Sequence, residues 1–215
     1  MKLKRAMLRE TLKIFFNGVF YKNPVLVGAL GLYPVVAAGY NMRNAVELSV
    51  LFLLLAVPTC LLSCLIGWLV PVRFRTSTAL LISAVFYLPA AWLTELLIPG
   101  AISALGMFAG LMICNSVIIF RASDYAPTHI AWAVFADTLG SSVGFALVIC
   151  LSAAIREFWL KGSLWHTNTG IYGTSDKGVS LPFFGFILLG FFAAFVSWVN
   201  RKREEKAEKR RVTHE

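Results

Sequence analysis

The chain has 215 residues and a mass of 23.7 kDa, with 58% hydrophobic residues, 14% charged residues and a mean hydropathy of +0.73. Soluble domains run at roughly 45–50% apolar and about 25% charged, so a soluble monomer is excluded. The formal net charge of +9 sits beside apolar stretches, where basic residues set membrane orientation, and this excludes nucleic acid as the partner it would otherwise suggest.

In chain order, residues 1–22 come first. They have the basic start of a signal peptide, but Arg9, Glu10 and Lys13 interrupt any apolar run. Leu3, Met7, Leu8, Leu12, Ile14, Phe15 and Phe16 follow a roughly helical period, which predicts a cytoplasmic amphipathic segment on the inner leaflet. Six stretches then carry no Asp, Glu, Lys or Arg, once Asp137 is tolerated, over lengths suited to spans of about 20 residues. They are Asn23–Met42, Leu48–Val72, Thr76–Thr94, Leu96–Phe120, Tyr125–Ile155 and Gly178–Asn200. Residues 201–215 form a charged cytoplasmic tail. This plan leaves no room for a separate soluble catalytic domain, so chemistry lies in the bilayer or with a partner.

Of the 20 Lys and Arg residues, six precede the first span and seven follow the last. Both termini are therefore expected in the cytoplasm. Arg73, Arg75 and Arg121 fall on the same side of a six-span arrangement. Arg43, Arg156, Lys161 and Lys177 fall outside, a 16 to 4 division that matches the positive-inside rule. The expected location is the plasma (inner) membrane, with multiple passes.

Pro99-Gly100 divides the spans into two groups of three, about 23–97 and 101–199, and an odd number per group inverts the second relative to the first. Inverted repeats of this kind build central sites from broken helices. Helix one carries Gly28, Gly31 and a central Pro34, which removes a backbone donor and interrupts the helix. Helix four carries Gly106, Gly110 and the polar pair Asn115-Ser116. Setting Tyr33 against Ser116 aligns LGLYPVVAA with MICNSVIIF. The fold class expected is all-α integral membrane: six transmembrane helices as two inverted three-helix repeats, with the first and fourth helices broken.

LGLYP, CNSVIIFRA and FADTLGSSVGFALVICLSAAIREFWLKGSLW together resemble the six-helix subunits of the Rnf electron-transport complex and of the sodium-translocating NADH:quinone reductase, especially the Rnf E and Nqr D types. The likeness covers about 23–200. Asp137, Gly140 and Gly144 match the family's Asp-Gly-x-Gly-x-Gly-x-Gly pattern; Arg156, Glu157 and Gly162 match its Arg-Glu end; Asn115, Ile118, Ile119, Arg121 and Ala122 match the run around helix four. The resemblance implies an integral membrane subunit of an ion-translocating electron-transport complex. It would pair with a homologous subunit of opposite orientation and assemble with flavin- and iron-sulfur-bearing subunits in the lipid bilayer. In the family, one cysteine from each broken helix holds a [2Fe–2S] cluster between the paired subunits, and thiolates are its usual ligands. This chain departs at both places: Tyr33 precedes Pro34, and Ser116 follows Asn115. Neither is a customary ligand, so the cluster is doubtful here. Cys114 is the substitute candidate, although an ideal helix turns it about 200° from Ser116.

Asp137 is the sole acid inside a span and the ion-path candidate; the alternative, and the stronger reading, is a hydrogen-bonded anchor for the Gly140-Ser141-Ser142 region. Glu47 and Glu95 are expected at the interface, and Arg156-Glu157 near the outer surface. Cys60 and Cys64, at i and i+4, read as small packing residues before they read as metal ligands. His129, His166 and His214 lack ligand spacing. Trp68, Trp92, Trp132, Trp159, Trp165 and Trp198 read as interfacial anchors. Two other classes stay open: a substrate-binding membrane subunit of a vitamin importer, and a non-redox membrane scaffold.

Overall fold

The computed structural model describes residues 23–164 without interruption, together with residues 11, 14–16, 18, 19, 167, 168 and 177–212. Most of the expected amphipathic segment, and also Trp165, His166 and His214, lie outside the described residues. Seven α-helices are present among those described: α1 (Met42–Ile66), α2 (Arg75–Leu97), α3 (Ala101–Leu105), α4 (Met107–Leu111), α5 (Ser116–Phe120), α6 (Ala131–Lys161) and α7 (Pro182–Val212). A two-stranded hairpin, β1 (Ser163–Leu164) with β2 (Thr167–Asn168), follows α6.

Five segments among the described residues are long and apolar enough to cross a membrane: Met42–Ile66, Val72–Leu97, Met107–Thr128, Ala131–Lys161 and Pro182–Arg203. The protein is thus a membrane protein whose spanning segments are all helical. The stretch expected as the first span has a different form. Residues 24–28 form turns, the backbone reverses through Ala29 (φ 51°) and Gly31 (φ 65°), and helical backbone returns only over residues 32–38, as a π-helix from Pro34 to Ala38. Pro34 stands in the first turn of this helix, where its missing N–H would have no partner within the helix in any case. Residues 14–16, 18 and 19 lie ahead of this break, with Gly18 and Val19 buried.

The bundle is centred on α1 and α6. Leu48, Leu51, Phe52 and Leu55 of α1 meet Phe145, Val148 and Ile149 of α6 in a fully enclosed core. The Phe52 and Phe145 rings stack with centroids 4.4 Å apart and planes 15° from parallel, a contact worth about 0.5–1.5 kcal/mol beyond the area it buries. Gly140 lets the N-terminal segment reach α6, because a Cβ there would lie 2.6 Å from the Phe15 carbonyl oxygen. By contrast, α2 and α7 turn Leu81, Val85, Leu88, Phe191 and Phe195 outward. A large apolar exterior is the surface of a protein whose solvent is lipid. Trp68, Trp92, Trp132, Trp159 and Trp198 are all exposed.

Candidate functional site

Met107–Thr128 is as fragmented as the first segment. Gly106 (φ 54°, ψ −127°) separates α3 from α4, a single 3-10 turn covers Met112–Cys114, and Asn115 is extended with ψ 121°. The side chain of Asn115 then caps α5, its Oδ1 accepting from Val117 N at 2.9 Å. Asn23 plays a parallel part at the first break: its Oδ1 accepts from Val25 N at 2.9 Å, and its Nδ2 donates to the Val19 carbonyl at 3.0 Å. Broken backbone far from water must find partners inside the protein, and two asparagines supply them.

The two breaks meet. Gly31 N donates to Ser116 Oγ at 2.7 Å, and Tyr33 OH donates to the Leu111 carbonyl at 2.6 Å. Each hydroxyl bonds to backbone of the other segment rather than to the other hydroxyl. Contact at Gly31 is close enough that a Cβ would sit 2.9 Å from Val117 Cγ2. Asn115 beside the crossing is fully buried, while Cys114 and Ser116 are exposed and Tyr33 is half-buried. The crossing therefore has an inner wall of asparagine and valine and an open face of hydroxyls and one thiol. A [2Fe–2S] cluster takes thiolates. At this face Tyr33 and Ser116 commit their oxygens to backbone, the Met112 thioether 3.5 Å from the Tyr33 hydroxyl is buried, and Cys114 is the one thiol among the described residues of that rim, so the donor set does not fit a cluster held in the family's manner.

Asp137 lies six residues into α6, roughly 9 Å from its start at 1.5 Å per residue. Its Oδ2 is 3.0 Å from Arg121 Nη1, and both side chains are largely buried, 9% and 14% exposed. The pair touches by charge but is not aligned as a hydrogen bond, since Oδ2 and Arg121 Nε both lack hydrogen-bond partners. Nearby, Thr138 Oγ1 donates to the Val134 carbonyl, and Ser141 and Ser142 both donate to the Thr138 carbonyl. Cys60 packs among Ala79, Ala122, Ala126 and Val134. Cys64 Sγ faces the His129 carbonyl at 3.3 Å, and His129 stacks on Tyr125 with centroids 3.8 Å apart.

At the other end of α6, Arg156 is 1% exposed. Its guanidinium donates to the carbonyls of Val36 (2.8 Å), Gly39 (3.4 Å), Val179 (3.1 Å) and Leu181 (3.2 Å). It thereby ties the end of the first broken segment to the start of α7. Glu157 Oε2 accepts from Met42 N at 2.7 Å and so holds the first turn of α1. Glu47, expected at the interface near the start of α1, is 1% exposed and paired with Arg43 Nε at 2.8 Å. Glu95 does sit at a turn, its two carboxylate oxygens accepting from Gly100 N and Ile102 N at 2.7 and 3.0 Å.

The family described as "Rnf-Nqr subunit, membrane protein" matches residues 11–196. The chain belongs to the Rnf-Nqr subunit family. Similar relatives include the E-type subunit of the ion-translocating oxidoreductase complex of Shewanella sp. (strain ANA-3), 27% identical with 90% of each chain covered. The protein of the same description from Shewanella loihica is 28% identical, covering 90% of this chain and 89% of its own. The E-type subunit of the Na(+)-translocating ferredoxin:NAD(+) oxidoreductase complex of Acetobacterium woodii is 25% identical, covering 89% of this chain and 98% of its own.

Within this Rnf-Nqr chain, Tyr33, Ser116 and Cys114 are brought to one crossing, whereas Asp137 belongs to a separate charged contact with Arg121. Gly31, the actual partner of Ser116, and Arg121, the partner of Asp137, do not stand out in those roles from sequence. Their signals are a glycine two residues before Tyr33 and a basic residue at the end of an apolar run.

Proposed function

We propose that this chain is an integral membrane subunit of an ion-translocating oxidoreductase complex, and that its crossing of broken segments serves as a scaffold there without supplying cluster ligands. Membership of the Rnf-Nqr family over 11–196 supports the first part, and the relatives' names, which describe subunits of such complexes, support it further. The observation that carries the second part is the reciprocal bonding of Tyr33 and Ser116 to opposite backbones. Those hydroxyls do the structural work of satisfying freed backbone groups, which membrane depth demands whether or not iron is near.

In this reading the repeats are 23–97 and 101–199, inverted about an axis through the crossing. The two breaks lie just before the aligned pair Tyr33 and Ser116, which supports the repeat. A homologous subunit of opposite orientation covers the open face at Cys114 and Ser116, and flavin- and iron-sulfur-bearing subunits complete the electron path. The termini are cytoplasmic and the membrane is the plasma membrane. Asp137, neutralised by Arg121, is an anchor rather than an ion carrier.

The test is affinity purification of the tagged chain from its native membrane in mild detergent. Co-purifying subunits with bound flavin and iron are the expected result. Recovery with a nucleotide-hydrolysing module, or with no redox partner, refutes the assignment to such a complex.

A further inference from the structure

The connection between α1 and α2 is short, structured and apolar. Leu69 N donates to the Ile66 carbonyl, Phe74 N donates to the Pro71 carbonyl, and a 3-10 turn covers Val72–Phe74. Gly67 presses on the connection ahead of α6, since a Cβ there would lie 2.5 Å from Pro127 Cβ. On this fixed turn Trp68, Leu69, Val72 and Phe74 are between 62% and 83% exposed. Four large apolar side chains turned outward in one short run mark a surface that meets something other than water.

Arg73 and Arg75 stand among them, the first exposed and the second half-buried. The ion pairs among the described residues use Arg43, Arg121 and Arg201, so neither cation of the turn is neutralised by a carboxylate there. No Asp or Glu occurs between Glu47 and Glu95, so the charge is uncompensated along the chain as well. Phe74, Leu81 and Leu88 recur every seven residues and are all exposed, so the turn prolongs the outward, lipid-facing side of α2. From Phe74 to Trp92 the chain rises roughly 27 Å at about 1.5 Å per residue, close to the thickness of bilayer hydrocarbon, about 30 Å. With Trp92 at one boundary, Phe74 and Trp68 reach the other, at the depth where aromatic side chains settle among headgroups.

We propose that this turn is a lipid-binding foot: its apolar side chains seat it in the headgroup layer, and Arg73 and Arg75 bind the phosphate of an anionic phospholipid of the phosphatidylglycerol class. A guanidinium pairs with phosphate oxygens through parallel N–H groups. The unbalanced charge selects the lipid. Phosphatidylcholine offers the same phosphate, but its quaternary ammonium would stand beside two uncompensated arginines, whereas phosphatidylglycerol brings no cation. A docking protein is the other occupant such a patch could take. Continuity with the lipid-facing side of α2, and the depth fixed by Trp92, favour lipid.

The experiment is tryptophan quenching of the full chain in nanodiscs of equal parts phosphatidylglycerol and phosphatidylcholine, with one lipid at a time brominated on its acyl chains near the headgroup. The emission that Trp68→Phe removes is the Trp68 signal. Brominated phosphatidylglycerol is expected to quench it more than brominated phosphatidylcholine, with a local enrichment of about fivefold or more, the factor for one basic residue at an anionic surface. Arg73→Gln with Arg75→Gln is expected to equalise the two quenchers while Trp68 stays quenched. Sodium chloride at about 1 M is expected to do the same in the unsubstituted chain, which keeps the test valid if the double variant fails to fold. Equal quenching by the two lipids in the wild type overturns the proposal, as does a preference that persists in the double variant or in high salt. Absence of quenching by either lipid also overturns it, since the patch would then face water or another protein. The chain alone is measured, so a negative result leaves its place in a redox complex untouched.

Discussion

The backbone amide of Gly31 donates to Ser116 Oγ across 2.7 Å, joining segments 85 residues apart in the chain. Gly31 holds a φ of +65° and presses against Val117, so the conformation and the contact both require a residue without a Cβ.

Ser116→Ala therefore leaves a buried amide without its acceptor, at an expected cost of about 1–3 kcal/mol. Ser116→Thr keeps the oxygen and is expected to be milder. Gly31→Ala costs roughly 1–2 kcal/mol for the left-handed backbone alone, plus the contact 2.9 Å from Val117 Cγ2. Melting temperatures of the detergent-solubilised variants check the order: Ser116→Thr above Ser116→Ala. Identical melting of wild type and Ser116→Ala contradicts it.

Arg156 is expected to be intolerant of lysine. Its planar fork reaches carbonyls in two separate stretches, Val36–Gly39 and Val179–Leu181, whereas an ammonium is a point donor on a thinner stem. Arg156→Lys and Arg156→Met should both lose protease resistance in solubilised form, the second by about 3 kcal/mol or more of stability, as buried acceptors lose their donor. Normal yield and resistance for Arg156→Lys would show that the fork is dispensable.

For Asp137 the anchor reading predicts strong coupling with Arg121. Removing one charge strands the other in a buried site, so Asp137→Leu and Arg121→Met should each cost about 3 kcal/mol or more, while the double variant recovers much of that loss. A double-mutant cycle on thermal stability measures the recovery. Additive losses would mean that the 3.0 Å contact carries no energy, and an altered ion dependence of the assembled complex in Asp137→Asn would restore the ion-path role.

The membrane class was legible because apolar length is written locally in the sequence, as in Met42–Ile66. That helix one is interrupted was legible, but not where: the break expected at Pro34 lies at Ala29 and Gly31, and Pro34 stands in the first turn of the helix that follows, where no N–H is needed. The burial of Glu47 and Arg156 within the protein was not legible. Both look interfacial by distance from a span end, but their burial depends on which backbone carbonyls and basic groups the tertiary fold brings around them. The partner of Ser116 was likewise hidden. Aligning the halves predicts Tyr33 opposite Ser116, but the break ahead of Tyr33 places Gly31 there, with the Tyr33 ring extended to Leu111.

The inverted arrangement predicts labelling from opposite sides. Single cysteines replacing Arg73 and Lys161, in a background without Cys114, should react with a membrane-impermeant maleimide from the cytoplasm and from outside respectively. Reaction of both from one side contradicts an odd number of spans between them.

The most direct test of the central claim is the iron content and electron paramagnetic resonance spectrum of the purified complex carrying Cys114→Ser in this chain. If the crossing is a scaffold of hydroxyls, the variant keeps every iron-sulfur signal of the wild type and the same iron per complex. Loss of a [2Fe–2S] signal together with its two irons would show that Cys114 is a ligand and that the crossing carries electrons after all.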